Sequence, residues 1–422
     1  MKAQEKSADY LVSTQATEWL RGTLGELLPI KYGKSLPEKL RDTTGSHPVF
    51  GSSGLVGAHS SALTSGPTLI IGRKGNVGAI HYSGEACWPI DTVYYVEPPE
   101  GQNLRYYKYL LESLNLVKLD KSTAVPGLSR DDYNAVEVVV APPDQQDSIV
   151  EEIEKQFSRL DMAVENLKRV KANLKRYKAA VLKAAVEGRL VETEAESTSF
   201  GKQNWKPIGL AIGTLDQGWS PQCESEPTET DETWAVMKTT AVQPLRFMDE
   251  ENKRLPPTLN PRTNLELVAG DLLITRAGPR SRVGVTCLVK TTRPHLMLCD
   301  KAYRLRVKPD MALPGFLEIV LNSPDVLYVL DELKTGISDS GLNLTQKRFK
   351  ELLVPLPPLV EQKRIVAEVD RRLSLIREKE AQVDANLQRA ERLRQSILAK
   401  AFAGLLVQES SRTKYAVSAI GG

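Results

Sequence analysis

Two short turns hold the side chains best suited to gripping an anionic partner. In the first, Leu69-Ile70-Ile71 runs into Gly72-Arg73-Lys74-Gly75, with Asn76 ahead of Val77-Gly78. In the second, Leu272-Leu273-Ile274-Thr275 runs into Arg276-Ala277-Gly278, and an insertion carrying Arg280 and Arg282 precedes Val283-Gly284. Glycine lets a backbone approach phosphate closely, and a guanidinium offers the paired donors that match the acceptor edge of guanine. Arg73, Lys74, Asn76, Arg276, Arg280 and Arg282 are therefore candidate DNA contacts. The competing reading is solvated charge on ordinary turns; recurrence at matching places favours contact. Ser52, Ser53, Arg130, Ser340 and Asn343 are further candidates from flanking loops, each equally suited to a turn or a helix cap. Lys168, Arg169, Lys171, Lys175 and Arg176 form a basic run fit to follow phosphates without reading sequence, although such runs are more often the wet face of a helix.

Catalytic chemistry finds little to use. An adenine methyltransferase is expected to carry a glycine-rich cofactor loop and an Asn-Pro-Pro-aromatic motif that grips a flipped base. The double prolines here read Ala141-Pro142-Pro143-Asp144, Leu255-Pro256-Pro257-Thr258 and Leu356-Pro357-Pro358-Leu359, and none fits. No Gly-x4-Gly-Lys-Ser/Thr phosphate loop occurs. A nuclease site can be outlined on Pro324-Asp325 and Glu332-Leu333-Lys334. Those residues fall within one amphipathic helix whose buried side is expected to be Leu327, Val329, Leu330 and Leu333. Cys87, Cys223, Cys287 and Cys299 are scattered without metal-ligand spacing, which suits a reducing compartment. His47, His59, His81 and His295 fit turn or surface roles. Trp88, Trp219, Trp234, Tyr94 and Tyr95 read as core or interface aromatics rather than wedges between bases. MKAQEKSADY lacks the apolar run of a signal peptide and no segment approaches membrane-spanning length, so the chain is expected in the cytoplasm, away from any membrane.

The elements that must position these turns come from a repeat. An offset of 216 residues carries Gln145 to Val191 onto Glu361 to Val407 without a gap, matching Gln146 with Gln362, Glu152 with Glu368, Gly188 with Gly404 and Leu190-Val191 with Leu406-Val407. Each copy reads as one helix. Ile149, Ile153, Phe157, Leu160, Val164, Leu167, Leu174, Tyr177 and Val181 recur at steps of three and four, as do Ile365, Val369, Leu373, Ile376, Val383, Leu387, Ala390, Leu393 and Ile397. Prolines set the starts and Gly188 and Gly404 stand at the C-caps. At ~1.5 Å per residue, roughly 45 residues make a rod of about 65–70 Å, which cannot bury its stripe alone. The other copy is the natural partner, giving an intramolecular coiled coil. Two unrelated surface helices are the bland alternative, which the unbroken register disfavours.

At 422 residues, with 41% hydrophobic and 26% charged residues, the chain is long enough for two or more globular domains. A net charge of +3 does not by itself announce nucleic acid. The expected order is a lead-in over residues 1–16, a globule over 17–140, a long helix over 141–191, a polar linker over 192–204, a second globule over 205–355, a second long helix over 356–407 and a tail over 408–422. Helices are predicted from Leu104 to Leu116 and from Gly315 to Leu333. Between the globules, Asp300 and Tyr303 answer Asp91 and Tyr94, and Gly341-Leu342 answers Gly127-Leu128.

GSSGLVG, GPTLIIGRKGNVG, WPIDTVYYV, GWSPQ, GDLLITRAG and, above all, LPPLVEQKRIVAEVD opening the second rod resemble the specificity subunit of Type I restriction-modification enzymes. The resemblance covers about residues 17 to 407. The first rod departs from it, reading PPDQQDSIVEE, with Gln145-Gln146 in place of Glu-Gln and one residue fewer after the prolines. The resemblance implies an α+β chain with a pseudo-twofold internal repeat, in which two mixed α/β target recognition domains are joined by an antiparallel intramolecular coiled coil. It further implies a non-catalytic reader of double-stranded DNA that takes one half of a bipartite site in each domain. Two methyltransferase subunits and restriction subunits are the implied partners. No cofactor is expected on the chain itself; S-adenosylmethionine, Mg and ATP belong to those partners. Alternatives are a coiled-coil DNA-binding scaffold of another defence system, or a stand-alone nuclease. A scaffold with no DNA role would leave the duplicated arginine turns without purpose.

Overall fold

The periodic stretches form two helices of 44 residues, Pro143–Val186 and Leu359–Phe402, whose ends obey the same 216-residue offset as their sequences. Their termini are built alike. At the start, the Pro142 carbonyl accepts from the Gln145 amide and the Pro358 carbonyl from the Glu361 amide, both at 2.9 Å. At the end, Gly188 and Gly404 adopt φ of 69° and 74°, a left-handed turn that glycine enters without strain. The next amide in each case reaches back to the last turn, Arg189 to the Ala184 carbonyl at 2.9 Å and Leu405 to that of Lys400 at 3.0 Å, which closes a Schellman cap.

The structure is a computed structural model. It describes residues 19–406, apart from residues 43, 98–100, 121–125, 193–199, 203–204 and 229. The expected lead-in and tail, and most of the expected linker, lie outside the described residues. The chain divides into two compact units: described residues up to Leu167 with those from Asp384 onward, and Lys168 to Val383. Each unit therefore contains one globule, part of one rod's beginning or end, and the complementary part of the other.

In the first unit a four-stranded sheet runs in the order Lys31–Tyr32, Val93–Val96, Thr68–Gly72, Ile80–Ser83, beside a three-stranded sheet of Gly54–His59, His47–Gly51 and Trp88–Pro89. The helix Leu104–Leu114, capped by the Asn103 side chain, covers the larger sheet. Its Tyr106 and Tyr107 share a core with Leu69, Ile71 and Tyr94, with Ile149, Ile153 and Phe157 of the first rod, and with Leu398 and Ala401 of the second. The rods run antiparallel here: Tyr106 accepts a hydrogen bond from the Ala141 amide and meets the Phe402 ring, while Asp161 pairs with Arg394 at 2.8 Å.

The second unit repeats this topology. Its larger sheet orders Ile212–Gln217, Ala302–Val307, Leu272–Thr275, Thr286–Leu288, and its smaller one Asn252–Arg254, Ala235–Met237, Leu296–Met297. Each small sheet contains one parallel pair, Val49 opposite Trp88 in the first and Ala235 opposite Leu296 in the second. The core joins Phe316, Leu317 and Phe349 to Val181, Leu182 and Ala185 of the first rod and Ile365, Val369 and Leu373 of the second. Phe200, inside the interval read as linker, is buried in this core.

Several expectations need correction. The helix expected over Gly315 to Leu333 is two, Pro314–Leu321 and Pro324–Glu332, because Pro324 cannot donate to a continuing ladder and opens a new first turn. The buried residues of the second piece are Val326 and Leu330, while Leu327 and Val329 are exposed. On the rods, Tyr177 and Leu393 face solvent, so the seam omits them. The counterpart of Leu128 is Leu344, not Leu342: the Leu128 amide donates to the Arg73 carbonyl at 2.9 Å and the Leu344 amide to that of Arg276 at 2.7 Å. The 216-residue register thus begins well before the rods, since Ser129 and Thr345 both cap the short helices that follow, and Tyr133 and Phe349 are both fully buried.

The matched Gln146 and Gln362 explain why that part of the signature must be glutamine. Both are fully buried. Gln146 donates to the Ala141 carbonyl at 2.9 Å and accepts from the Asn103 amide at 3.0 Å. Gln362 donates to the Pro357 and Met311 carbonyls and accepts from the Leu313 amide at 2.8 Å. In each unit one side chain thereby ties the first turn of a rod to the N-cap of the globule's helix. Gln146→Leu or Gln362→Leu orphans buried backbone groups at ~1–3 kcal/mol apiece, so each is expected to lower stability by roughly 2–5 kcal/mol in urea titrations. The two losses should add, since the residues share no partner.

Candidate nucleic-acid interface

The two arginine turns are superimposable in their bonding. Each follows a central strand of the larger sheet, and each arginine donates to an aspartate carbonyl across the turn: Arg73 Nη2 to Asp91 O at 2.6 Å and Arg276 Nε to Asp300 O at 2.8 Å. Each guanidinium also lies over a buried tyrosine, Arg73 over Tyr94 at 5.8 Å and Arg276 over Tyr303 at 5.6 Å. Those tyrosines donate to matched carbonyls, Tyr94 to Leu128 and Tyr303 to Leu344, both at 3.1 Å. Beyond the turns, the amides of Gly78 and Gly284 return to the strand ends at Gly72 and Thr275. The expected matches of Asp91 with Asp300, Tyr94 with Tyr303 and Val77-Gly78 with Val283-Gly284 therefore hold in three dimensions.

In the first unit the structure gathers six candidates along one edge. Arg73 and Arg130 both lie over the Tyr32 ring, at 5.5 and 5.8 Å. Lys74 and Asn76 are exposed. Ser52 and Ser53 form the hairpin turn between His47–Gly51 and Gly54–His59, and a β-carbon on Gly75 would stand 3.3 Å from Ser52 Oγ. His81 Nε2 meets the Ser52 carbonyl at 3.0 Å and holds that turn beside the arginine loop. Gly72 has no room for a side chain, since a β-carbon there would sit 1.9 Å from the Asn76 carbonyl oxygen.

In the second unit the arginines are more heavily committed. Arg280 is exposed, but it pairs with Asp331 at 2.6 Å and Asp339 at 3.0 Å. Arg282 turns inward, donating to the carbonyls of Thr239 and Val242. Asn343 pairs with Ala277 in a two-residue ladder, and Ser340 meets Ser338 at 3.0 Å in the loop that carries Asp339. The candidates Arg276, Arg280, Ser340 and Asn343 thus form one neighbourhood, with Arg282 acting as its clasp to the rest of the globule. On the first rod, Lys168, Arg169, Lys171, Lys175 and Arg176 are all exposed, and Arg169 and Lys171 have partners within the chain.

Sequence reasoning passed over a cavity of about 430 Å³ in this second globule, lined by Ser220, Cys223, Lys238, Thr240, Lys253 and Lys301 among others. Lys238 follows the strand Ala235–Met237 as Ser52 follows His47–Gly51, and Lys301 follows Asp300 as Thr92 follows Asp91. Only Lys301 was within reach of a sequence signal, through the aligned aspartates. Burial pushes the Cys299 thiol up to about 11 and raises that of Cys223, so neither is a thiolate at neutral pH.

The description Type I restriction modification DNA specificity domain matches residues 17–176. The Type I restriction enzyme EcoEI specificity subunit of Escherichia coli is 39% identical over 166 residues, covering 39% of this chain and 28% of that protein. The EcoKI specificity subunit of Escherichia coli strain K12 is 30% identical over 284 residues, 66% of this chain and 59% of that one. The EcoDI specificity subunit of Escherichia coli is 24% identical over 415 residues, 93% and 89% of the two chains. The chain is similar along most of its length to Type I restriction-modification specificity subunits. It spans less than two thirds of the length of the EcoEI and EcoKI relatives. A solved chain from work on complex assembly and conformational transition of the type I R-M system shares the fold, with a TM-score of 0.62 at 17% identity over 91% of this chain and 97% of that one.

Within this chain the turn residues divide into those that hold the loop and those that face outward. Arg282→Ala removes the donor shared by two carbonyls and is expected to cost about 1–3 kcal/mol. Lys74→Ala, at an exposed position, is expected to stay within ~0.5 kcal/mol of the parent. Thermal unfolding of the two variants side by side checks this, and a neutral Arg282→Ala would remove its role as a clasp.

Proposed function

We propose that this chain reads double-stranded DNA for a Type I restriction-modification complex, one half of a bipartite site falling to each globule. The observation that carries the reading is the duplicated arginine turn: one bonding scheme, on one sheet position, in two compact units, with different residues offered to solvent. The outward set is Lys74, Asn76 and the Ser52-Ser53 hairpin in one unit and the Arg280 and Ser340 loops in the other. A common frame with unlike surface residues suits two heads that read unlike sequences. Base edges in the major groove distinguish all four base pairs, and half-sites about one helical turn apart, ~34 Å, present the same face of the duplex. Two rods of equal length, each an unbroken helix, suit a fixed gap between half-sites.

In this reading the chain carries no catalytic group. Methyl transfer from S-adenosylmethionine falls to two methyltransferase subunits, and Mg- and ATP-dependent translocation and cleavage to restriction subunits, in the cytoplasm. The nuclease alternative is disfavoured by the surroundings of Asp325. Its carboxylate is taken up in ion pairs with Lys183 at 3.3 Å and Lys202 at 3.4 Å. Among the described residues no helix is long and apolar enough to cross a membrane.

The test is methylation by the chain co-expressed with its methyltransferase partners, read out on a duplex library. A split site is expected, with methylation lost when one base pair is added to or removed from the gap. A contiguous site, or indifference to gap length, overturns the reading. On the selected duplex, Asn76→Ala is expected to relax discrimination in one half-site by ~1–3 kcal/mol, whereas Lys74→Ala weakens all sequences alike.

A further inference from the structure

The three arginines of the second turn are largely committed within the globule. Arg276 and Arg282 donate to backbone carbonyls, and Arg280 is neutralised by two carboxylates. Lysines cluster nearby. Lys238, Lys253 and Lys301 line the cavity of about 430 Å³ beside the arginine turn, and Asp300 is the one carboxylate among its lining residues. Among the described residues none of the three ammonium groups pairs with a carboxylate, although Arg254, next to Lys253, pairs with Glu224. Val236, Met237 and Cys299 give the cavity a buried apolar wall, and Ser220, Thr239 and Thr240 add hydroxyls. The cavity adjoins the turn directly, since Arg276 bonds to the Asp300 carbonyl and Arg282 to that of Thr239.

Three unpaired ammonium groups around an apolar wall match one chemical object well: a sugar-phosphate ridge, whose deoxyribose is apolar and whose flanking phosphates are anionic. Lysine is a compact, rotatable point charge, suited to phosphate rather than to the paired acceptors of a base edge. We propose that this cavity seats the DNA backbone at the second half-site, with Lys238, Lys253 and Lys301 neutralising its phosphates and fixing the register in which the Arg280 and Ser340 loops meet the bases. The corresponding positions in the first globule are Ser52 in place of Lys238 and Thr92 in place of Lys301, so the two globules grip the backbone differently. This rests on the DNA-reading function proposed above.

The test uses the chain in complex with its methyltransferase partners, and fluorescence anisotropy on the methylation-selected duplex and a scrambled one across a KCl series. Lys238→Gln, Lys253→Gln and Lys301→Gln are each expected to weaken both duplexes by the same factor and to lower the slope of log affinity against log salt by about 0.9. Lys→Arg at each position is expected to restore the slope, which separates charge loss from misfolding. Unchanged affinity and slope would overturn the proposal, as would a loss confined to the selected duplex, which would make the lysines base readers. Titration with inorganic phosphate alone is expected to show no saturable binding in the millimolar range. Saturable binding lost in the Gln variants while DNA affinity stays unchanged would assign the cavity to a small anion instead. If the parent complex fails to discriminate between the duplexes, the DNA-reading function itself falls, an outcome distinct from lysine variants that keep parental affinity.

Discussion

A 44-residue helix with an apolar stripe along one side cannot remain exposed, and this burial requirement governs the rest of the chain. Each rod meets it twice, in two different cores. Ile149, Ile153 and Phe157 pack with Leu398 and Ala401 in one unit, while Val181, Leu182 and Ala185 pack with Ile365, Val369 and Leu373 in the other. Fully burying one aliphatic side chain contributes about 1.5–3 kcal/mol, so each set is a substantial part of its unit's stability. The middle of the first rod, where Val164, Leu167 and Leu174 are only half-buried, is held less by apolar contact than its ends. The globules are thus integral to the rods' burial, because tyrosines and phenylalanines from their helices complete both cores.

The same requirement, applied to polar groups, fixes where the arginine turns lie. Gln146 and Gln362 satisfy backbone groups at the junction of rod and globule. Tyr94 and Tyr303 satisfy the carbonyls of Leu128 and Leu344 on the segment leading into each rod. Those tyrosines also carry Arg73 and Arg276 on their rings. Each unit is thus tied at two places, at the start of its rod and beneath its turn, and a turn anchored this way presents its outward residues in a fixed orientation. Such preorganisation matters for a reading surface, since side chains already held in place lose less freedom on binding.

Much of this was legible in the sequence. The rods, their equal lengths and their glycine caps all followed from a repeat with an unbroken register, because helical periodicity and capping chemistry are local, while the pairing of Arg73 with Arg276 followed from a looser recurrence of strand and turn. What escaped notice was set by contacts distant in sequence. That Arg282 clasps the Thr239 and Val242 carbonyls, or that Arg280 is held by Asp331 and Asp339, depends on loops brought together by the small sheet and by the break at Pro324. The lysine cavity is a clearer case: Lys238, Lys253 and Lys301 come from three separate stretches, and no periodicity links them. The turn in front of Leu344 is offset by two residues from the Gly-Leu pair that resembles Gly127-Leu128, and the hydrogen bonds of Leu344 to Arg276 and Tyr303 identify the true partner.

The globules diverge on this common frame in a physically specific way. Strand pairing sets Ile71 opposite Tyr94 and Ile274 opposite Tyr303, which aligns Tyr95 with Arg304 and Thr68 with Asp271. In the first globule these positions are an aromatic and a hydroxyl that donates to the Gly66 carbonyl at 2.8 Å. In the second they are a buried Arg304 and a buried Asp271, each paired with a more exposed partner, Arg304 with Asp216 at 2.7 Å and Asp271 with Arg306 at 2.8 Å. Removing one partner from a buried pair leaves an unpaired charge and costs about 3–5 kcal/mol, whereas exchanging the whole set for apolar residues is often neutral. The two globules therefore share one topology and one arginine anchor over different interior chemistry at the same strand positions, and a single exchange between them, Arg304 for tyrosine or Asp271 for threonine, would leave its ionic partner unpaired.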